Sequence, residues 1–158
     1  MGNELQQQGF NTKVPFHTHN SVDGTPILDE RYSLTNTRKY LAIRIVSPTV
    51  DTTVANVVGG DFVLPFNGFI EEVNATVDTA GTTGTTTIDV NLGGTSIMNT
   101  KITIDSTEKT SRTAATPSVL KSQSVGFSLG NILTFDVDAI NTTAAKGLVI
   151  YITAIKTS

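Results

Sequence analysis

The sequence predicts an all-β fold: an antiparallel two-sheet β-sandwich, jelly-roll-like, preceded by an extended N-terminal arm. Threonine, a β-branched residue that suits the solvated face of a sheet, makes up about a sixth of the 158 residues. From about Tyr40 onward, apolar and polar residues alternate with the period of half-buried strands. Glycine, proline, asparagine and aspartate separate these segments, and no segment has a convincing helical pattern.

Composition divides the chain into three parts. Residues 1–16 form a polar arm, expected to be either a flexible tail or a segment that becomes ordered against a neighbouring subunit. Residues 17–38 form a loop segment rich in Asn, Asp, Gly, Pro and Ser. Residues 39–158 are predicted to form the β-sandwich domain, whose size one hydrophobic core can support.

The first predicted strands follow from alternation and from proline. Tyr40–Val46 places Leu41, Ile43 and Ile45 on one face. The short segment DFVLP ends at Pro65, which terminates the strand or places it at a sheet edge, because proline cannot donate a ladder hydrogen bond.

The segment FIEEVNATV is predicted to be half-buried, with its odd-numbered residues facing the core. These inward residues are Phe69, Glu71, Val73, Ala75 and Val77. Glu71 is the misfit of the set, because a carboxylate on a core-facing position is costly to bury.

The next predicted element is a β-hairpin whose first strand begins at Thr86. Thr86–Leu92 places Ile88, Val90 and Leu92 inside and the polar residues between them outside. Gly93–Gly94 then forms a two-residue turn, because both central positions of a type I′ turn need positive φ.

The remaining strands complete the sandwich. The segment ILTFDVD places Leu133, Phe135 and Val137 on one side, and Gly147–Ile155 is apolar on both faces, as expected of a central or interface strand. The count is about eight or nine strands. Because such patterns do not fix topology, an immunoglobulin-like strand order stays open beside the jelly roll.

Charge and composition exclude several classes of function. The net charge is −3 and the sequence pI is about 5.2, whereas nucleic-acid binders usually carry a basic surplus, so we expect no nucleic-acid partner. No run of apolar residues is long enough to span a membrane, and the N-terminus lacks the features of a secretion signal. The absence of cysteine excludes disulfides and thiolate chemistry.

We predict that the protein is not an enzyme. The sequence has no phosphate-binding glycine loop, dinucleotide fingerprint or nucleophile elbow. Glu71 and Glu72 are adjacent on a strand, so they are expected to face opposite ways and not to converge on one sugar. Asp136 and Asp138 share an exposed face, which favours a solvated surface over a weak cation site.

Carbohydrate binding commonly needs an exposed aromatic ring, and the chain has no tryptophan and three tyrosines. Tyr32 and Tyr40 lie near the junction of loop and sheet, and Tyr151 lies within a strand. Each is predicted to serve packing and not ligand contact.

The two histidines are the candidate metal ligands. His17 and His19 are two residues apart, so in an extended backbone both imidazoles point the same way. Three chains on a three-fold axis would supply six imidazoles, an octahedral shell for iron or another transition metal, whereas zinc usually takes four ligands. The alternative is an exposed loop in which two histidines happen to be neighbours.

The run HTHNSVDGTPIL (His17–Leu28) resembles a short element of many tailed-phage virion proteins, His-x-His-Asn-Gly-x-Asp-Ser-Pro-x-Ile. It departs from that element at Ser21, where glycine is usual, and by one extra residue before Pro26. The stretch Asp61–Asp105 is similar to the β-sandwich domains of phage head-fibre, decoration and tail-fibre proteins.

The resemblance implies a homotrimer in which His17 and His19 line a three-fold axis and hold a transition metal ion (Fe or Zn). It implies a structural protein, made in the host cytoplasm and located on the virion, whose arm docks onto other virion proteins of capsid or tail. The alternative function is adsorption, in which the sandwich binds a host-surface glycan.

Overall fold

A computed structural model of the protein describes residues 37–157. The strands in this range are β1 (Thr37–Arg44), β2 (Phe62–Val63), β3 (Gly68–Thr79), β4 (Thr85–Leu92), β5 (Thr95–Ser96), β6 (Met98–Thr100), β7 (Ile102–Asp105), β8 (Val119–Leu120), β9 (Val125–Phe127), β10 (Ile132–Ala139) and β11 (Lys146–Lys156). One 3-10 turn covers Ser111–Thr113. The predicted all-β class is confirmed, and no helix between residues 37 and 157 is long and apolar enough to cross a membrane.

The strands form two main antiparallel sheets. The first sheet has the order β1-β11-β3-β9, and the second has the order β2-β10-β4, with β5 and β7 both pairing along the far edge of β4. Strands β6 and β8 form a small separate ladder. If β5 and β7 are counted as one interrupted strand, and β6 and β8 are left out, eight main strands remain. When these eight are renumbered from one to eight in chain order, the two sheets have the orders 1-8-3-6 and 2-7-4-5, which is jelly-roll connectivity. The immunoglobulin-like alternative is therefore wrong.

The core lies between the two sheets. The inward residues predicted on β10, Leu133, Phe135 and Val137, are each at most 1% exposed, and they join one hydrophobic cluster with residues of the first sheet. Ile88 and Val90 of β4 are also fully buried, while Leu92 packs at the margin of the cluster. These side chains supply the main driving force for folding, about 1.5–3 kcal/mol for each large one.

Strand β11 is central in the first sheet, as its two-sided apolar pattern predicts. It pairs with β1 from Thr37↔Lys156 to Arg44↔Val149, and with β3 on its other side. The hairpin after β4 is also as predicted: Leu92 pairs with Thr95, and Gly93 and Gly94 have φ of 57° and 79°.

The predicted inward face of β3 is wrong at its start. Thr153 pairs with Glu72 and Ala154 pairs with Ile70, so Glu71 is an extra residue, a β-bulge. The bulge shifts the alternation by one residue: Ile70 is fully buried, whereas Phe69 is 44% exposed. The shift removes the carboxylate of Glu71 from the core, which is the physical reason for the irregularity.

Other differences are smaller. Strand β1 begins at Thr37, earlier than the expected Tyr40, and β9 (Val125–Phe127) was not predicted because a glycine interrupts its short apolar pattern. The predicted arm (residues 1–16) and the two histidines of the loop segment lie outside the described residues.

We expect the buried face of β11 to dominate stability. Leu148→Ala removes a fully buried side chain and should lower the free energy of unfolding by about 2–5 kcal/mol. The matched control is Leu129→Ala, because Leu129 is 64% exposed. This substitution should change the free energy of unfolding by less than about 0.5 kcal/mol. Chemical denaturation followed by circular dichroism measures both, and equal losses would contradict the assigned core.

Candidate functional site: the groove along β3

The outer edge of β3 is covered by several short segments. Strand β9 pairs with the first three residues of β3, from Gly68 to Ile70. Beyond the bulge, the Ser118 hydroxyl donates to the carbonyl oxygen of Val73 at 3.0 Å. Further along, the backbone N–H of Val77 donates to the carbonyl oxygen of Lys109 at 3.0 Å. Because the cover is made of separate pieces, depressions remain between them.

The 3-10 turn is anchored to β3 by Ser111. The buried Ser111 hydroxyl accepts from the backbone N–H of Ala75 at 2.9 Å and donates to Asn74 Oδ1 at 3.4 Å. The Thr110 side chain caps the turn by accepting from the backbone N–H of Arg112 at 3.2 Å. The anchor therefore holds Arg112 over the outer face of β3.

Arg112 and Glu72 form a forked ion pair on that face. Arg112 Nη1 donates to Glu72 Oε1 at 3.0 Å and Nη2 to Oε2 at 3.5 Å, and the Thr153 hydroxyl donates to Oε2 at 3.4 Å. Hydrogen bonding from Asn74, followed by the charge of Arg112, lowers the pKa of Glu72 below its ordinary value. Glu72 is therefore ionised at neutral pH, which is the wrong state for a general acid.

The expectation that Glu71 and Glu72 face opposite sides of the sheet is wrong, because the bulge interrupts the alternation. Glu71 contacts Arg38 on the outer face of β1, with Arg38 Nη2 2.9 Å from Glu71 Oε2. Glu72 contacts Arg112 on the same outer face. Each carboxylate is thus compensated by its own arginine.

Three depressions adjoin along this line: Glu72 lines the first, Arg112 lines another, and both residues line the one between them. The largest, about 540 Å³, lies between the bulge and residues 118–123. A second of about 190 Å³ lies beside Ser111 and Ser118, and a third of about 230 Å³ extends across β11 to β1. We call the three together the β3 groove.

Two exposed tyrosines lie at the far end of the β3 groove. Tyr40 is 75% exposed and Tyr151 is 42% exposed, so the prediction that they serve packing is wrong. Tyr40 pairs with Thr153 and Tyr151 pairs with Ala42, which makes the two rings diagonal neighbours on adjacent strands. The alternation of each strand indicates this exposure, because each tyrosine lies between two inward-facing residues. Tyr32 lies outside the described residues.

On the outer face of the second sheet, one lysine contacts two carboxylates. Lys101 Nζ lies 3.1 Å from Asp89 Oδ2 and 2.8 Å from Asp138 Oδ2, and these hydrogen bonds, Asp138 first, raise the pKa of Lys101. Asp136 accepts from the backbone N–H of Val57 at 2.8 Å and from Asn91 Nδ2 at 2.9 Å. The carboxylates of Asp89 and Asp138 are therefore compensated by Lys101.

Within residues 37–157, no group of three or more His, Cys, Asp or Glu side chains is placed to hold a metal ion. His17 and His19 lie outside this range, so metal binding by them stays a prediction. The chain matches no protein-family model, and no curated protein matches it.

We expect Lys101 to stabilise the fold by compensating Asp89, whose side chain is 10% exposed. Lys101→Met should lower the free energy of unfolding by about 1–2 kcal/mol, because it leaves a largely desolvated carboxylate without its counter-charge. Lys146→Met is the matched control, since its pair with Asp51 is exposed on both sides. The control should change stability by less than about 0.5 kcal/mol. Equal effects in urea denaturation would contradict this role.

Proposed function

We propose that the protein is a homotrimeric surface protein of a tailed-phage virion, of the head-fibre, capsid-decoration or fibre-tip type. In this proposal residues 1–16 attach the protein to other virion proteins of capsid or tail. His17 and His19 join three chains, and the jelly-roll domain is displayed outward.

The observation that carries the proposal is the order of the two parts along the sequence, the His-x-His element before the jelly roll. His17–Leu28 resembles the virion element and precedes, by a few residues, the strand β1 that opens the jelly roll at Thr37. Jelly rolls build many viral capsid and lectin domains, which supports the proposal by analogy of fold. The histidine element adds the specificity that the fold alone lacks.

The described surface suits a display role. Its arginines are paired with carboxylates, as in Arg44–Asp78, Arg38–Glu71 and Arg112–Glu72, so the first sheet presents a face without a strong field of either sign. The mechanism we propose is associative and not catalytic. Three chains contribute two imidazoles each to one transition metal ion, which lies on the symmetry axis.

The virion assignment is tested on purified particles of the phage that encodes the chain. Immunogold electron microscopy with an antibody against the folded domain should label the particle exterior, at the capsid or at the tail. Peptide mass spectrometry of gradient-purified particles should give a copy number divisible by three. Recovery of the protein from the lysate but never from purified particles would overturn the assignment.

The histidine element should control assembly without controlling folding. The double variant His17→Ala, His19→Ala should weaken the trimer by at least about tenfold in dissociation constant, because metal ligands are lost. Its thermal unfolding in the monomeric state should match that of the native chain, since the described core is built from residues 45–154. Analytical ultracentrifugation with and without EDTA measures the trimer.

The matched control replaces the alternate residues of the same segment, Thr18→Ala with Asn20→Ala. This variant should keep the native sedimentation profile and its sensitivity to EDTA. If the histidine variant retains full trimer stability, metal-mediated joining of the chains is refuted.

A further inference from the structure

We infer that the β3 groove is a binding site for a neutral oligosaccharide, which lies along the outer face of the first sheet from the depression at the bulge to the two exposed tyrosines. The inference adds a ligand to the proposed display role. It depends on the groove and on neither the trimer nor the virion assignment.

The tyrosine end offers the surface that sugar rings bind. The apolar C–H face of a pyranose packs against an aromatic ring, and a tyrosine also keeps a hydroxyl for hydrogen bonding. Tyr40 and Tyr151 project from adjacent paired strands, so their spacing is fixed by the sheet and little conformational entropy is lost on binding. Single exposed hydrophobic side chains are ordinary on a protein surface, but here two large rings lie on neighbouring strands, as is common at binding sites.

The rest of the β3 groove offers hydrogen-bonding groups matched to sugar hydroxyls. Thr76, Thr110 and Thr153 line the tyrosine end, and Ser118 and Ser122 line the depression at the bulge. Hydroxyl side chains both donate and accept, as sugar hydroxyls do.

The Glu72–Arg112 pair lies at the centre of the groove, and Arg112 keeps unused hydrogen-bond donors. A guanidinium carries five N–H donors, and two of the nitrogens of Arg112 already contact Glu72. Glu72 already accepts from Arg112, Thr153 and Asn74, so the unused capacity is the remaining donors of Arg112, which suit neighbouring hydroxyls of one sugar ring. Because the pKa of Glu72 is lowered, its acceptor form persists under mildly acidic conditions.

Charge in the groove favours a neutral ligand over an ionic one. The charged side chains that line the groove balance, with Glu71 and Glu72 against Arg112 and Lys121, and Arg38 and Arg112 each contact a carboxylate. An anionic polymer would have to displace a carboxylate that already holds each arginine. A protein partner would be expected to place large apolar side chains at the centre of the surface, where this groove has an ion pair.

The site is largely formed before any ligand binds. The bulge sets the directions of Glu71 and Glu72, and the buried Ser111 fixes the turn that carries Arg112. Bulges commonly re-aim side chains beside binding sites. The neighbouring strands β11 and β1 provide the rigid floor under the tyrosines.

The test uses the full chain on a printed array of microbial polysaccharides, both neutral and anionic. We expect binding to neutral glycans, followed by measurement of a neutral hexasaccharide from the best-bound polymer by isothermal titration calorimetry. Tyr151→Ala should weaken that affinity by at least about tenfold, as loss of a central aromatic contact does. Tyr40→Ala should weaken it as well, with little effect on folding because its side chain is so exposed.

Phe69→Ala is the matched control. Its ring lies on the same face with almost the same exposure, 44% against 42% for Tyr151, but outside the residues that line the β3 groove. This variant should keep the native affinity within about twofold.

The inference would be overturned by binding to no neutral polysaccharide, by preference for the anionic polymers, or by equal losses in the Tyr151 and Phe69 variants. Dissociation of the oligomer by Tyr151→Ala would also overturn it, by assigning the face to a contact between copies. Failure of glycan binding with an intact trimer on the virion would leave the proposed function standing, so the two failures are distinguishable.

Discussion

The pairing of β11 with strands on both sides is the constraint on which the described structure depends. Strand β1 pairs with β11 along its whole length, and β3 pairs with the opposite edge of β11. The inward face of β11 carries Leu148, Ile150 and Ile152, which are fully buried in the cluster between the two sheets. These pairings join residues about 70 to 120 positions apart in the chain, so closure of the jelly roll is expected to be slow and cooperative. Without β11, both the first sheet and the core would be left open.

The same strand explains why the outer face of the first sheet can carry a site. Because β11 is held from both sides, its outward Tyr151 and Thr153 have fixed positions between β1 and β3. The regular part of the sheet thus provides a rigid surface. The irregular part, where the bulge at Glu71 meets the separate segments that cover β3, provides depth. Rigidity and an incomplete edge together produce a groove that a continuous sheet would lack.

Much of the fold could be predicted from the sequence, because alternation reports directly on burial. Leu133, Phe135 and Val137 face the core as their spacing predicts, and Gly93–Gly94 forms the turn that positive φ requires. The bulge could not be located from the sequence, because Phe69 and Ile70 are both apolar. Either of them could face the core without breaking the alternation. The position of Arg112 was also hidden, since it depends on a hydrogen bond between Ser111 and Ala75, 36 residues apart. The exposure of Tyr40 and Tyr151 could be predicted from their spacing, because each lies between two inward-facing residues of its strand.

The proposed role joins this rigid domain to an element that binds three chains together. Native mass spectrometry of the purified full chain tests that claim most directly, because it reads the mass of the oligomer and the bound metal in one spectrum. The account predicts a trimer that carries one transition metal ion. A trimer without metal would keep the structural role and return His17 and His19 to an ordinary loop. A monomer without metal would contradict the account.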